Sequence, residues 1–268
     1  MKTQLLEIPN GENQNLRGVI SMPDDQIQKG IICLHGFERC SSTEKKFKAL
    51  SDSLVGKMMA VLRLDFSGCG LSDGDYKYTT IEKQADDFVL ALRNLKSEIG
   101  QQRINVIAHS LGACVLATRI NEIKEEIEKI ILIAPALNQK DLMRYWFVTS
   151  QMKKSNPEIK ITWQNYKQHL DESAFQKDCE RIDKMTKANY IDSKYFLEAK
   201  DFDFSNKFDF MKDKVLHIHG SKDIAVPIES LNIKFGNQII VGNGDHDLEK
   251  PNQMEQWKNK ALDFLLKQ

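Results

Sequence analysis

The chain has 268 residues, enough for one sizeable core and most simply read as an α/β domain carrying an insertion. Its 38 basic and 38 acidic residues cancel, which argues against nucleic acid or another polyanion as a partner. Hydrophobic residues make up 41% and charged residues 28%, an ordinary globular balance, and no run approaches the ~18 apolar residues of a spanning helix.

The N-terminal M-K-T-Q-L-L-E-I-P-N-G lacks the apolar core of a secretory signal. The five cysteines (Cys33, Cys40, Cys69, Cys114 and Cys179) are odd in number and contain no C-x-x-C. They read as reduced thiols, and the expected location is the cytoplasm. Oligomeric state has no signature in this sequence.

Taken in chain order, Leu5 to Ile8 and Leu16 to Ser21 flank the turn-rich G-E-N-Q-N and predict an antiparallel edge hairpin. Strands are then expected at Ile31 to Leu34, Val61 to Leu64, Ile104 to Ala108, Ile130 to Ala134, Val215 to His219 and Gln238 to Val241. From Ile31 onward these runs are short, almost wholly apolar and separated by helical patterns, as parallel strands buried on both faces are. Helices are predicted at Ser42 to Val55, Thr80 to Ser97, Leu111 to Ile123 and Gln253 to Leu266, the first two ended by Gly56 and Gly100.

Between Asn138 and Asn206 the strand rhythm stops. This segment reads as helical, and it holds two of the three tryptophans and four of the six tyrosines. The division expected is a core of residues 1–137 and 207–268 with a helical cap at 138–206. Tyr145, Trp146 and Trp163 are candidates for an aromatic-walled substrate pocket. The plainer alternative is that they pack the insert onto the core.

The segment A-H-S-L-G, Ala108 to Gly112, sits between an apolar strand and a helix, the setting of a nucleophile elbow. Such a turn lifts Ser110 above the sheet, and its small flanking residues permit the tight geometry. A serine hydroxyl needs a base to take its proton, and the base needs a carboxylate to orient it. Both occur downstream at strand ends: Asp223 after V-L-H-I-H and His246 after Q-I-I-V. Asp223 is preferred over Asp245 and Asp247, because an adjacent residue cannot readily reach back to the ring. The plainer alternatives are a helix-capping Asp223 and a solvated His246.

His217 is read as core and His219 as a structural partner of the acid loop, with zinc disfavoured for want of a third ligand. His109 is also read as structural. After the strand I-I-C-L comes H-G-F, placing the amides of Phe37 and Leu111 where a developing oxyanion would sit, with His35 bracing the loop. Cys69 and Cys114 read as packing thiols. The glycine-rich D-F-S-G-C-G-L-S-D-G lacks the G-K-[ST] of a phosphate loop and reads as a tight loop near the site mouth.

Five stretches together resemble the α/β-hydrolase superfamily: H-G-F at 35–37, R-L-D-F-S-G-C-G-L-S-D-G at 63–74, A-H-S-L-G at 108–112, H-G-S-K-D-I-A-V-P at 219–227 and G-D-H at 244–246. They look most like the bacterial cinnamoyl and feruloyl esterases and related serine aminopeptidase-type hydrolases. The resemblance implies a mostly parallel eight-stranded sheet flanked by helices, with a helical cap. It implies Ser110 as nucleophile, His246 as base, Asp223 as its orienter, and Phe37 and Leu111 as oxyanion donors. Two positions depart from the pattern: Ala108 replaces the first glycine of the elbow, and Cys69 stands where histidine is common.

The expected activity is cleavage of a small-molecule carboxylic ester through an acyl-enzyme, with no metal and no organic cofactor. Monoacylglycerol lipase-like and aminopeptidase-type activities remain alternatives, as does a non-catalytic hydrolase-fold receptor.

Overall fold

In the computed structural model, which describes residues 1–11 and 13–267, the chain opens with an antiparallel hairpin of β1 (Lys2–Pro9) and β2 (Asn15–Met22). There follow β3 (Lys29–Leu34), α1 (Lys45–Val55), β4 (Met59–Asp65), α2 (Ile81–Ile99), β5 (Ile104–His109), α3 (Leu111–Ile123) and β6 (Ile127–Ile133). The next stretch holds α4 (Gln139–Ser155), α5 (Glu172–Cys179), β7 (Lys184–Met185), β8 (Tyr190–Ile191) and α6 (Ser193–Ala199). The chain returns to the sheet with β9 (Val215–Gly220) and β10 (Asn237–Val241), and α7 (Pro251–Leu266) closes it.

Eight strands form one sheet in the order β1-β2-β4-β3-β5-β6-β9-β10. Pairings from β4 to β10 are parallel, and β2 is antiparallel to both its neighbours. This is the α/β-hydrolase sheet expected from the sequence. The period-2 alternation of side chains divides each central strand between two cores. In β3, Ile31 and Cys33 face α1 and α7, against Phe47, Leu54 and Trp257. Ile32 and Leu34 face the opposite side, against Phe88, Leu92 and Leu116 of α2 and α3. Each such fully buried aliphatic side chain contributes roughly 1.5–3 kcal/mol over leaving it in water.

Two expectations are corrected. Helix α1 begins at Lys45, not Ser42. The Ser42 amide and hydroxyl instead donate to the Asp65 carboxylate at 3.0 and 2.6 Å, pinning the loop to the end of β4. The segment read as purely helical contains the two-residue ladder of β7 and β8, pairing Lys184 with Ile191 and Met185 with Tyr190. Its turn is gathered by the Glu38 carboxylate, which accepts from the Thr186 hydroxyl and from the amides of Ala188 and Asn189 at 3.3 and 3.1 Å. An acidic residue far away in sequence thus organises a hairpin too short to carry a strand pattern of its own.

Helix ends follow ordinary capping chemistry. Thr80 accepts the Lys83 amide at 3.1 Å, and Asn138 and Asp171 cap α4 and α5. Among the described residues no helix is long and apolar enough to cross a membrane.

Candidate active site

All of the chemistry-bearing loops identified in the sequence leave the sheet at the carboxyl ends of their strands. Ser110 joins β5 to α3 with φ 52° and ψ −115°, an arrangement that costs a non-glycine residue about 1–3 kcal/mol. Three backbone hydrogen bonds hold it there. Its amide donates to Ile133 O at 3.0 Å, and its carbonyl accepts from Ala113 and Ala136, both at 3.1 Å. Two residues on, a Cβ at Gly112 would lie 2.6 Å from Leu34 O and 2.8 Å from His35 O, so only glycine lets α3 start this close to β3. Ala108, in the position more often glycine, is fully buried and accommodated.

His246 reaches Ser110 from the loop after β10. Its Nε2 lies 3.0 Å from Ser110 Oγ, and its Nδ1 lies 2.7 Å from Asp223 Oδ2. A carboxylate only accepts, so Nδ1 carries the proton and Nε2 presents a lone pair to the hydroxyl. The Asp223 and His246 loops are laced together by the Lys222 amide on Gly244 O at 2.9 Å and the Ser221 amide on Val241 O at 3.0 Å.

Asp223 Oδ1 accepts the Ala225 and Val226 amides at 2.9 and 2.8 Å. It therefore caps its own turn with one oxygen while orienting the histidine with the other. Burial pushes its carboxyl up, but hydrogen bonds from the His219 and His246 rings and the Val226 amide outweigh this and leave it well below the usual carboxylate range. The flanking carboxylates are engaged elsewhere: Asp245 with Lys250 at 2.7 Å and the Leu248 amide, and Asp247 with Arg39 at 2.7 Å.

The loop after β3 lies directly over the serine. A Cβ on Gly36 would sit 3.0 Å from Ser110 Cβ and 3.5 Å from Oγ. His35 is buried; it receives the Phe66 amide on Nε2 at 3.1 Å and donates Nδ1–H to Gly36 O at 2.8 Å. Burial also pulls its basicity down, matching a neutral ring with one donor and one acceptor. The amides of Phe37 and Leu111 have no acceptor among the described residues.

His109, read from the sequence as structural, lies behind His246 in a buried polar group whose other members, Lys46 and Glu44, carried no sequence signal. His109 Nε2 donates to His246 O at 3.1 Å, and the two rings pack tilted at 41° with 4.9 Å between centroids. Burial and the nearby Lys46 ammonium depress the His109 imidazole to about 4, so it stays neutral near pH 7. Lys46 is 1% exposed and held between Glu44 at 3.1 Å and Glu249 at 3.2 Å. Lysine at such a position is anticipated only once the fold brings two carboxylates to it.

The aromatic candidates of the insert meet the acid loop. The Tyr145 hydroxyl donates to Ile224 O at 3.0 Å and the Trp146 indole to Ala225 O at 2.6 Å. Tyr145 is buried, with Trp163 edge-on at 5.5 Å and Tyr166 at 5.7 Å. These rings join α4 to the residues immediately after Asp223, the packing role set out as the plainer alternative. Burial raises the thiols of Cys33, Cys69 and Cys114, which suits inert packing. Among the described residues no three or more His, Cys, Asp or Glu side chains converge as a metal site would require.

Comparison with known proteins agrees with this architecture. The family model for serine aminopeptidase, S33 (Hydrolase_4) matches residues 25–199. A Mycoplasma genitalium protein provisionally named esterase/lipase 3 is 28% identical over 153 residues, covering 54% of this chain and 53% of that protein; the match thus spans about half the length of the curated relative. Among solved structures, Est1E from Butyrivibrio proteoclasticus with bound ferulic acid superposes with a TM-score of 0.72 at 19% identity, over 98% of this chain and 100% of that one. GrgF, an α/β hydrolase from Penicillium sp. sh18, gives a TM-score of 0.71 at 17% identity, over 99% and 98%. The Pyrococcus furiosus esterase Pf2001 gives 0.64 at 22%, over 98% and 90%. With the sheet order, the elbow and the family match in agreement, the chain belongs to the serine aminopeptidase S33 family of α/β hydrolases.

Proposed function

We propose that this protein is a serine hydrolase of carboxylic esters, with Ser110 as nucleophile, His246 as general base and general acid, and Asp223 as the residue that orients it. The observation that carries the reading is the continuous relay of 3.0 Å from Ser110 Oγ to His246 Nε2 and 2.7 Å from Nδ1 to Asp223. In this reading His246 takes the hydroxyl proton as Oγ attacks the ester carbonyl. The developing oxyanion is held by the unengaged amides of Phe37 and Leu111. The imidazolium, stabilised by Asp223, then returns the proton to the departing alcohol oxygen. Water attacks the acyl-enzyme through the same base and releases the acid. No step calls on a metal or organic cofactor.

Residues 138–206 act as the cap over a small-molecule site; Tyr145 and Trp146 brace the acid loop, and the half-buried Trp146 and Trp163 are the cap aromatics proposed to contact substrate. The likeness to a ferulate-binding esterase favours an aromatic or short acyl group. The five free thiols fit a reducing compartment, and the cytoplasm is the location adopted.

The test is turnover of a short-chain p-nitrophenyl ester and labelling by a fluorophosphonate probe. Wild-type protein should do both, and Ser110→Ala neither, with a fall in kcat on the order of 10⁶. Undiminished turnover in Ser110→Ala would refute the assignment. Wild-type protein that resists the probe would point to a hydrolase-fold receptor. The family match keeps amide cleavage in view, so the panel includes aminoacyl anilides and a monoacylglycerol beside feruloyl esters.

A further inference from the structure

Behind Asp223 runs a line of side chains for which the proposed reaction has no use. Gln238 Nε2, on the exposed edge strand β10, lies 3.0 Å from His217 Nδ1. His217 Nε2 lies 3.0 Å from His219 Nδ1. His219 Nε2 lies 2.8 Å from Val226 O and 3.4 Å from Asp223 Oδ2. Both histidines are buried, 1% and 0% exposed.

The direction of this chain follows from its ends. A carbonyl oxygen can only accept, so His219 Nε2 carries a hydrogen. An amide nitrogen can only donate, so His217 Nδ1 is bare and its hydrogen sits on Nε2. That hydrogen occupies His219 Nδ1, which therefore cannot also be protonated. Each ring is neutral, in the Nε2–H form, and each hydrogen points toward the acid loop.

Two consequences bear on Asp223. Its carboxylate has two imidazoles within 3.4 Å, at His246 and His219. His219 already spends its Nε2–H on Val226 O at 2.8 Å, so His246, at 2.7 Å, is the ring that takes the carboxylate oxygen. The His219 donor also holds the Val226 carbonyl, and the Val226 amide is one of the two that fix Asp223 Oδ1.

We propose that His219 is a positioning residue for Asp223, kept neutral and in a single tautomer by His217 and Gln238. This rests on the triad reading above. The first test is the ¹⁵N imidazole spectrum of the full chain. Both His217 and His219 should show the neutral Nε2–H pattern near about pH 7.5. An Nδ1–H pattern at either ring, or a charged His219, would overturn the proposal.

The second test is kinetic. His219→Phe should lower kcat about 10-fold or more with KM changed less than about twofold, because a small displacement of a triad member is costly. His219→Gln, whose amide nitrogen can stand near the Nε2 position, should recover kcat to within about threefold of wild type. Wild-type kcat in the Phe variant, or no recovery in the Gln variant, counts against the proposal.

Should the Phe variant not fold, Gln238→Glu at the exposed end still decides. A carboxylate in contact only accepts, so His217 should take a proton on Nδ1 and kcat should fall; an Nδ1-protonated His217 with wild-type kcat overturns the proposal. The tautomer measurement needs no turnover. If the triad reading itself failed, the sign would instead be wild-type protein without Ser110-dependent turnover or probe labelling.

Discussion

His35 and Gly36 are joined by a hydrogen bond of 2.8 Å from the ring Nδ1 to the carbonyl oxygen of the very next peptide. Because the peptide is planar and trans, pinning that oxygen also sets the direction of the Phe37 N–H on the opposite side of the same unit. His35 can do this only as the Nδ1–H tautomer, which the Phe66 amide enforces by donating to Nε2 at 3.1 Å. His35→Phe should therefore lower kcat by about 10- to 100-fold on a p-nitrophenyl ester, somewhat less than outright loss of an oxyanion donor. The KM should move little, since the donor acts mainly on the transition state. Steady-state kinetics of the purified variant checks this.

Asp223→Asn separates orientation from folding. The Asn carbonyl oxygen can still accept the Ala225 and Val226 amides that Oδ1 now receives, so the turn should survive. Its amide nitrogen would face His246 Nδ1 and enforce the wrong ring tautomer. The expected fall in kcat is about 10⁴-fold, with a nearly unchanged circular dichroism spectrum.

Gly112→Ala tests the packing beneath the elbow. The added Cβ would meet the carbonyl oxygens of Leu34 and His35, both backbone atoms that cannot swing aside. Destabilisation of about 1–3 kcal/mol is expected, read as a Tm several degrees lower in a thermal melt. Activity should fall as well, because the same displacement moves Ser110.

Asp87 gives stability a pH dependence. Burial pushes its carboxyl up to about 6 from an ordinary 3.8, although the Ser67 amide and hydroxyl donate to it at 2.8 and 3.0 Å. The folded state thus holds this proton more tightly than the unfolded chain does. Its contribution is fully present below about pH 4 and is lost as pH rises through about 6, a difference of about 3 kcal/mol. Asp87→Asn should remove this component, so that chemical denaturation at pH 4 and pH 7 differs less in the variant than in wild type. Asp223, held low, acts in the opposite sense and weakens the fold only at more acid pH.

Much of the architecture was legible because local chemistry and final structure agree. Short apolar runs marked the buried strands, and the glycine at Gly100 marked the end of α2, where φ is 65°. The candidate site was legible for a different reason. Ser110, Asp223 and His246 each follow a strand, and parallel strands of one sheet deliver the residues after them to one edge. What escaped reading depends on partners remote in the chain. The ladder of β7 and β8 forms around Glu38, about 150 residues earlier in sequence. The buried Lys46 is paired with Glu249, some 200 residues later.

The sequence by itself determined the chain order of the eight main-sheet strands, the burial of the central strands on both faces, and the identity of the three residues that meet. These depend on periodicity and on short-range turn chemistry, both written in neighbouring residues. Only the tertiary structure decided the tautomers of His35, His217 and His219, the bracing of the acid loop by Tyr145 and Trp146, and the polar group behind His246. Each of those is a hydrogen bond in a buried place. Its direction and its partner exist only after strands and loops distant in sequence have been packed side by side.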